Sequence, residues 1–185
     1  MKRVGIFGGT FNPVHCGHVK LARWLVDSGK FDEVWLTLSP ANPLKNDRPG
    51  ATDADRLEML RLALAGEPGL KVCDVEFSMP RPSYTIATLR RLQQEHPDCR
   101  FSLIVGADNW EIFDRWREPG AILREFGVTV YPRPGVPAPA REVPGMNYLA
   151  DAPVYPISST AVRAGDLADV PQPVRDYIKA HNLYE

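Results

Sequence analysis

Two histidines three residues apart, His15 and His18, follow a pair of glycines in the run Gly8-Gly9-Thr10-Phe11-Asn12-Pro13-Val14-His15-Cys16-Gly17-His18. Imidazoles donate hydrogen bonds to phosphate oxygens, and a histidine beside phosphate tends toward its cationic form. Glycine lets the backbone turn through positive φ and lets another group come close to its N–H. A glycine turn that opens a helix gathers unpaired N–H groups and the positive end of the helix dipole at one point, where an anion can sit. The chemistry indicated is that of a nucleotide phosphate. The histidine spacing also suits zinc, but no cysteine or carboxylate cluster completes a tetrahedral set, so no resident metal is expected. Near the other end of the chain, Ser158-Ser159-Thr160-Ala161-Val162-Arg163 offers hydroxyls and a guanidinium whose planar fork matches phosphate. Taken alone, those residues also read as a helix cap followed by a surface arginine.

These groups need a frame. Residues 2–7 read as a buried strand running into the glycines. A helix follows from about Cys16 to Ser28, with Val19, Ala22, Leu25 and Val26 on one face and Gly29 as its stop. Val34 to Leu38 is a second strand, and Ser39 to Gly50 is a loop rich in turn formers. Thr52 to Asp55 can cap a helix whose Leu57, Leu60 and Leu64 share a stripe. A short strand near Leu70–Cys73, a proline-containing loop over 77–83 and a helix from Thr85 to Gln94 come next. Phe101 to Gly106 is a strand, with Ala107-Asp108-Asn109 opening a short helix, and Val128 to Tyr131 is another strand. Residues 132–147 carry five prolines and two glycines and read as a loop. Val154-Tyr155-Pro156 is expected to be the last strand, and a C-terminal helix starts near Pro173 with Val174, Tyr177 and Ile178 inward. Trp24 and Trp35 are assigned to the core.

Strands alternating with helices predict an α/β fold with a doubly wound parallel sheet, in a single domain over 1–185 whose C-terminal helical segment, from about 160, packs on it. Ligands of such sheets bind beyond the carboxyl ends of the strands, where the winding reverses. The motifs at 8–18, 39–45, 106–108 and 158–163 all follow predicted strands, which predicts one composite site.

Composition narrows the partners. A net charge of −1 gives no general attraction to nucleic acid or acidic membrane, so an anion site must be local. The odd, scattered Cys16, Cys73 and Cys99 read as free thiols in a reducing cytoplasm. Met1-Lys2-Arg3 leads directly into a strand rather than a leader, and no apolar run approaches the ~20 residues of a membrane span.

Together the two end motifs resemble the HxGH and SSTxxR signatures of the nucleotidyltransferase superfamily with its Rossmann-like fold. Within it the chain is most similar to the bacterial nicotinate mononucleotide adenylyltransferases. The similarity rests on Asn42-Pro43-Leu44-Lys45, Ser83-Tyr84-Thr85-Ile86, Gly106-Ala107-Asp108 with Trp116 eight residues on, and Arg133-Pro134-Gly135, and it covers the whole chain. The family's second loop often has a histidine before its lysine; here that position is Leu44, so contact from this loop rests on Lys45. Cys16 fills the free position of HxGH, where a small thiol fits without changing the chemistry.

The resemblance implies attack of a mononucleotide 5′-phosphate on the α-phosphate of ATP, releasing pyrophosphate, with Mg²⁺ accompanying the triphosphate. It implies His15, His18 and Arg163 as catalytic residues, and Gly8, Gly9, Thr10, Phe11, Ser159, Thr160 and Lys45 around ATP. For nicotinate mononucleotide it implies Trp116 as a stacking face, Thr85 and Tyr84 near the carboxylate, and Asp108 toward a ribose. Plainer readings stand beside these: Lys45 as a solvated side chain, Asp108 as a helix cap, Trp110 in place of Trp116, and Arg133 at a strand end with or without phosphate contact. The rival functions are use of the amide mononucleotide, a pantetheine phosphate or cytidylyl acceptor, or nucleotide binding without turnover.

Overall fold

The computed structural model describes residues 1–40 and 50–185. Six parallel strands form one sheet in the order β3-β2-β1-β4-β5-β6: β1 Lys2–Gly9, β2 Glu33–Leu38, β3 Leu70–Cys73, β4 Cys99–Gly106, β5 Val128–Tyr131 and β6 Met146–Tyr148. Winding runs outward from β1 through β2 to β3, then returns to the other side of β1 for β4, β5 and β6. The reversal lies between β1 and β4, so the crevice beyond Gly9 and Gly106 is the expected ligand position.

β1 is buried from Val4 to Phe7, as a central parallel strand covered on both faces must be. Its alternating side chains divide between two cores. Phe7 joins Leu21, Leu25, Met59, Leu60 and Val174, contributed by α1 (Cys16–Asp27), α2 (Asp53–Leu64) and α7 (Gln172–Ala180). Val4 and Ile6 join Ile86, Leu89, Phe101 and Ile122 beneath α3 (Thr85–Glu95) and α5 (Pro119–Glu125). Between them Gly5 leaves room for its neighbours: a Cβ there would stand 2.5 Å from Ile104 Cδ1 and 3.1 Å from the Phe31 ring, so both would have to shift. The remaining elements are short: the 3₁₀ turns Val75–Ser78 and Phe113–Arg115, α4 (Ala107–Glu111) and α6 (Ser159–Arg163).

Two expectations are corrected. Val154-Tyr155-Pro156 forms no strand: Pro153 precedes it and Pro156 ends it, and the prolines supply no N–H for a ladder. The sixth strand is Met146–Tyr148, at the end of the proline-rich stretch expected to be all loop, paired with β5 through Val128↔Met146 and Val130↔Tyr148. The helix α5 was not anticipated, although Pro119 at its first turn and Gly127 (φ 80°) beyond its end are start and stop signals. Trp35 is buried, whereas Trp24 and Tyr177 lie half-buried at the core's edge. The three cysteines are free, as expected.

Candidate active site

β1 ends in the two glycines, and a Cβ on Gly8 would have nothing within 4 Å, so this backbone faces open space. The space is a cavity of 510 Å³ whose lining includes Gly8, Gly9 and Thr10, His15 and His18, and Ser159, Thr160 and Arg163. A smaller cavity of 210 Å³ adjoins it, lined by Thr85, Thr88, Glu76 and Trp116. Both are bordered by Phe7, Gly8, Gly9, Thr10, Asn109 and Tyr131, so they form two lobes over the switch point.

The histidines cap their own helix. His15 is the N-cap of α1 and its Nδ1 accepts from the Gly17 N–H at 3.1 Å, while His18 Nδ1 accepts from the His15 N–H at 3.1 Å. This is a capping box built from two imidazoles instead of the usual hydroxyl and carboxylate. A backbone N–H can only donate, so each Nδ1 is unprotonated and each neutral ring carries its proton on Nε2. The rings stack with centroids 3.6 Å apart, and Phe11 sets its edge against His18 at 5.0 Å. Burial, with Arg133 nearby, lowers the His15 pKa to about 4; burial, then His15 and Arg133, hold that of His18 well below its ordinary value. Desolvation thus favours the neutral form of both rings.

The late motif reaches the same loop. Ser159 Oγ donates to the Pro13 carbonyl at 2.9 Å, and Arg163 Nη1 donates to the Asn12 carbonyl at 2.7 Å while its Nη2 reaches Thr160 Oγ1 at 3.2 Å. Ser158 caps α6 by accepting from the Ala161 N–H. Residues about 150 positions apart thus share one cavity.

The other predicted residues separate. Asp108 and Arg133 meet in the larger lobe, with Arg133 Nε 3.7 Å from Asp108 Oδ1. Trp116 lines the smaller lobe, while Trp110, stacked on Phe113 at 5.0 Å, lines neither. Thr85 opens α3 and lines the smaller lobe. Tyr84 lies outside both: its ring is exposed beneath the Arg117 guanidinium, whose carbon is 4.4 Å from the ring centroid. Lys45 and the rest of Asn42-Pro43-Leu44-Lys45 lie outside the described residues.

Sequence reading missed Asn109 and Tyr131, which border both lobes, and it missed Arg56. Only 3% exposed, Arg56 donates through Nη1 to the carbonyls of Thr10 (2.6 Å) and Ser39 (3.0 Å), and through Nη2 to Asp53 Oδ1 (2.6 Å). The available signal was its position: it shares the buried stripe of α2 with Met59, Leu60 and Ala63. Among the described residues, no three His, Cys, Asp or Glu side chains gather to hold a metal ion, and no helix is long and apolar enough to cross a membrane.

Comparison with known proteins agrees with this layout. A family model described as cytidylyltransferase-like matches residues 6–165. The "Probable nicotinate-nucleotide adenylyltransferase" of Bacteroides fragilis is 47% identical over 161 residues, covering 87% of this chain and 80% of its own. Its namesake from Flavobacterium johnsoniae is 34% identical over 191 residues, covering 99% of both. Among solved structures, the Plasmodium falciparum nicotinic acid mononucleotide adenylyltransferase complexed with NaAD superposes with a TM-score of 0.81 at 19% identity, covering 100% of this chain and 98% of that one. That likeness speaks to the fold, and the sequence identities to kinship: the chain belongs to the cytidylyltransferase-like family and, within it, to the nicotinate-nucleotide adenylyltransferases.

Proposed function

We propose that this chain transfers the adenylyl group of ATP to nicotinate mononucleotide, forming deamido-NAD and pyrophosphate in NAD biosynthesis. The observation that carries this reading is the meeting of His15, His18 and Arg163 around one cavity at the switch point. The acceptor's 5′-phosphate oxygen bonds to the α-phosphorus as the bond to the bridging oxygen breaks, and pyrophosphate takes the electron pair; no enzyme-bound intermediate is needed.

In this reading the chain positions two anions and neutralises the charge that moves between them. The N–H groups of Gly8, Gly9 and Thr10 cradle ATP, and His15 and His18 donate from Nε2 to its phosphates. Arg163, Ser159 and Thr160 also hold the triphosphate, with Phe11 packed behind His18. The smaller lobe takes the pyridine ring against Trp116 with its carboxylate toward Thr85, and Asp108 accepts from a ribose hydroxyl. Lys45 is proposed to reach phosphate. Since the described residues offer no metal cage, a divalent cation, Mg²⁺ in our proposal, fits as part of the ATP substrate, held by phosphate and water. The whole chain, 1–185, acts as one nucleotidyltransferase domain, working in the cytoplasm.

The test is turnover. Purified protein with ATP, Mg²⁺ and nicotinate mononucleotide should release pyrophosphate, and the amide mononucleotide should serve much less well. A strong preference for the amide overturns the acceptor assignment. Nucleotide binding with no pyrophosphate overturns the enzymatic reading.

A further inference from the structure

Asn12 links Arg163, which lines the larger cavity, to a residue far along the chain. Its carbonyl accepts from Arg163 Nη1 at 2.7 Å, and its side-chain Oδ1 accepts from the Tyr184 hydroxyl, also at 2.7 Å. Asn12 is buried, and its neighbour Phe11 has φ 42°. A non-glycine residue stays in the left-handed region only where its surroundings over-determine it, so this loop depends on external contacts. Tyr184 has a left-handed backbone (φ 65°), and its ring packs so close to Gly50 that a Cβ there would stand 2.9 Å from it. Burial raises the pKa of its hydroxyl, which therefore remains a protonated donor, although the cations of Arg56 and Arg163 act in the opposite direction.

We propose that Tyr184 is a positioning residue for adenylyl transfer: by fixing Asn12 it fixes the carbonyl on which Arg163 rests, and so the angle at which the guanidinium meets the phosphates. This rests on the function proposed above. With Nη1 on Asn12 and Nη2 on Thr160, the guanidinium is held at two points and keeps further N–H groups for a ligand. Small misplacement of a phosphate clamp is expensive, since a 1 Å error can cost about a hundredfold in rate.

Tyr184→Phe removes the hydroxyl and keeps the ring. Measured as pyrophosphate release at saturating ATP and nicotinate mononucleotide, kcat should fall about 3- to 10-fold, the worth of one hydrogen bond. The KM for nicotinate mononucleotide should not move, and the melting midpoint should stay within about 4 °C of the parent's. In an Arg163→Lys background the same substitution should lower kcat no further, whereas a merely structural tyrosine would add its full effect. A parental kcat for Tyr184→Phe overturns the proposal, as does a loss that multiplies in full with that of Arg163→Lys. If Arg163→Lys alone keeps the parental rate, the phosphate role of Arg163 fails first and the proposal falls with it.

Discussion

His15 and His18 stack at 3.6 Å, too close for both rings to be charged without mutual repulsion. In the free protein both are neutral near pH 7 and each keeps one N–H, which is sufficient to donate to a phosphate oxygen. A neutral imidazole at a helix N-terminus acting as an electrophile is an established catalytic device. Its contact should strengthen as charge accumulates in the transition state. His18→Ala should therefore lower kcat about 10²- to 10³-fold while the ATP Kd, measured by calorimetry, changes much less. Equal losses in both would leave His18 a ground-state contact only. The residue scale was also where sequence reading went furthest: the spacing of His15 and His18 and the fork of Arg163 are chemical facts visible without coordinates. The neutral state of the pair was not visible, because it comes from burial that only the packed loop creates.

On α2, the decisive residue is a charge on the wrong face. Arg56 turns toward the core and ties the start of that helix to the end of β2 and to the glycine loop. Arg56→Met would leave the Thr10 and Ser39 carbonyls without this donor and take from Asp53 one of its cations, Arg81 at 3.7 Å being another. Since Asp53 is partly exposed, the main loss is the donor to the two carbonyls; leaving a buried acceptor unpaired costs about 1–3 kcal/mol, so the urea midpoint should drop well beyond the effect of a surface arginine such as Arg91→Met. Elements with strong internal signals were legible in sequence: α2 begins at the Thr52 capping box, and α1 stops before Gly29. β6 was not, since three residues following a proline-rich stretch carry no period of their own and become a strand only because β5 offers an open edge. The prolines excluded Val154–Pro156 for a reason equally present in the sequence.

Across the molecule, the parallel order of the sheet decides where everything meets, and the alternation of strands and helices was enough to predict it. What alternation did not reveal was the division into two lobes, which depends on how α4 and the turn after it present Asn109 and Trp116. Burial of the histidines also shapes stability. In the unfolded chain a histidine titrates near 6.5, while His15 in the fold titrates near 4 and His18 well below its ordinary value. Between those limits the unfolded state binds more protons, so stability falls as pH drops; at pH 5 His15 alone costs on the order of 2 kcal/mol. Glu76, whose pKa burial raises, works in the opposite direction. Denaturation at pH 7.5 and pH 5 should show this loss, and His15→Asn should reduce it; a midpoint independent of pH over that range would refute the neutral, buried state of the pair. The tethers from Ser159, Arg163 and Tyr184 to residues 12 and 13 span 146, 151 and 172 positions. At about 5–20 residues per second on the ribosome, the glycine loop waits roughly 7 to 35 s after its own synthesis for the side chains that brace it. Throughout that interval residues 12 and 13 are made but lack their full set of three braces, so their final geometry must follow synthesis rather than accompany it.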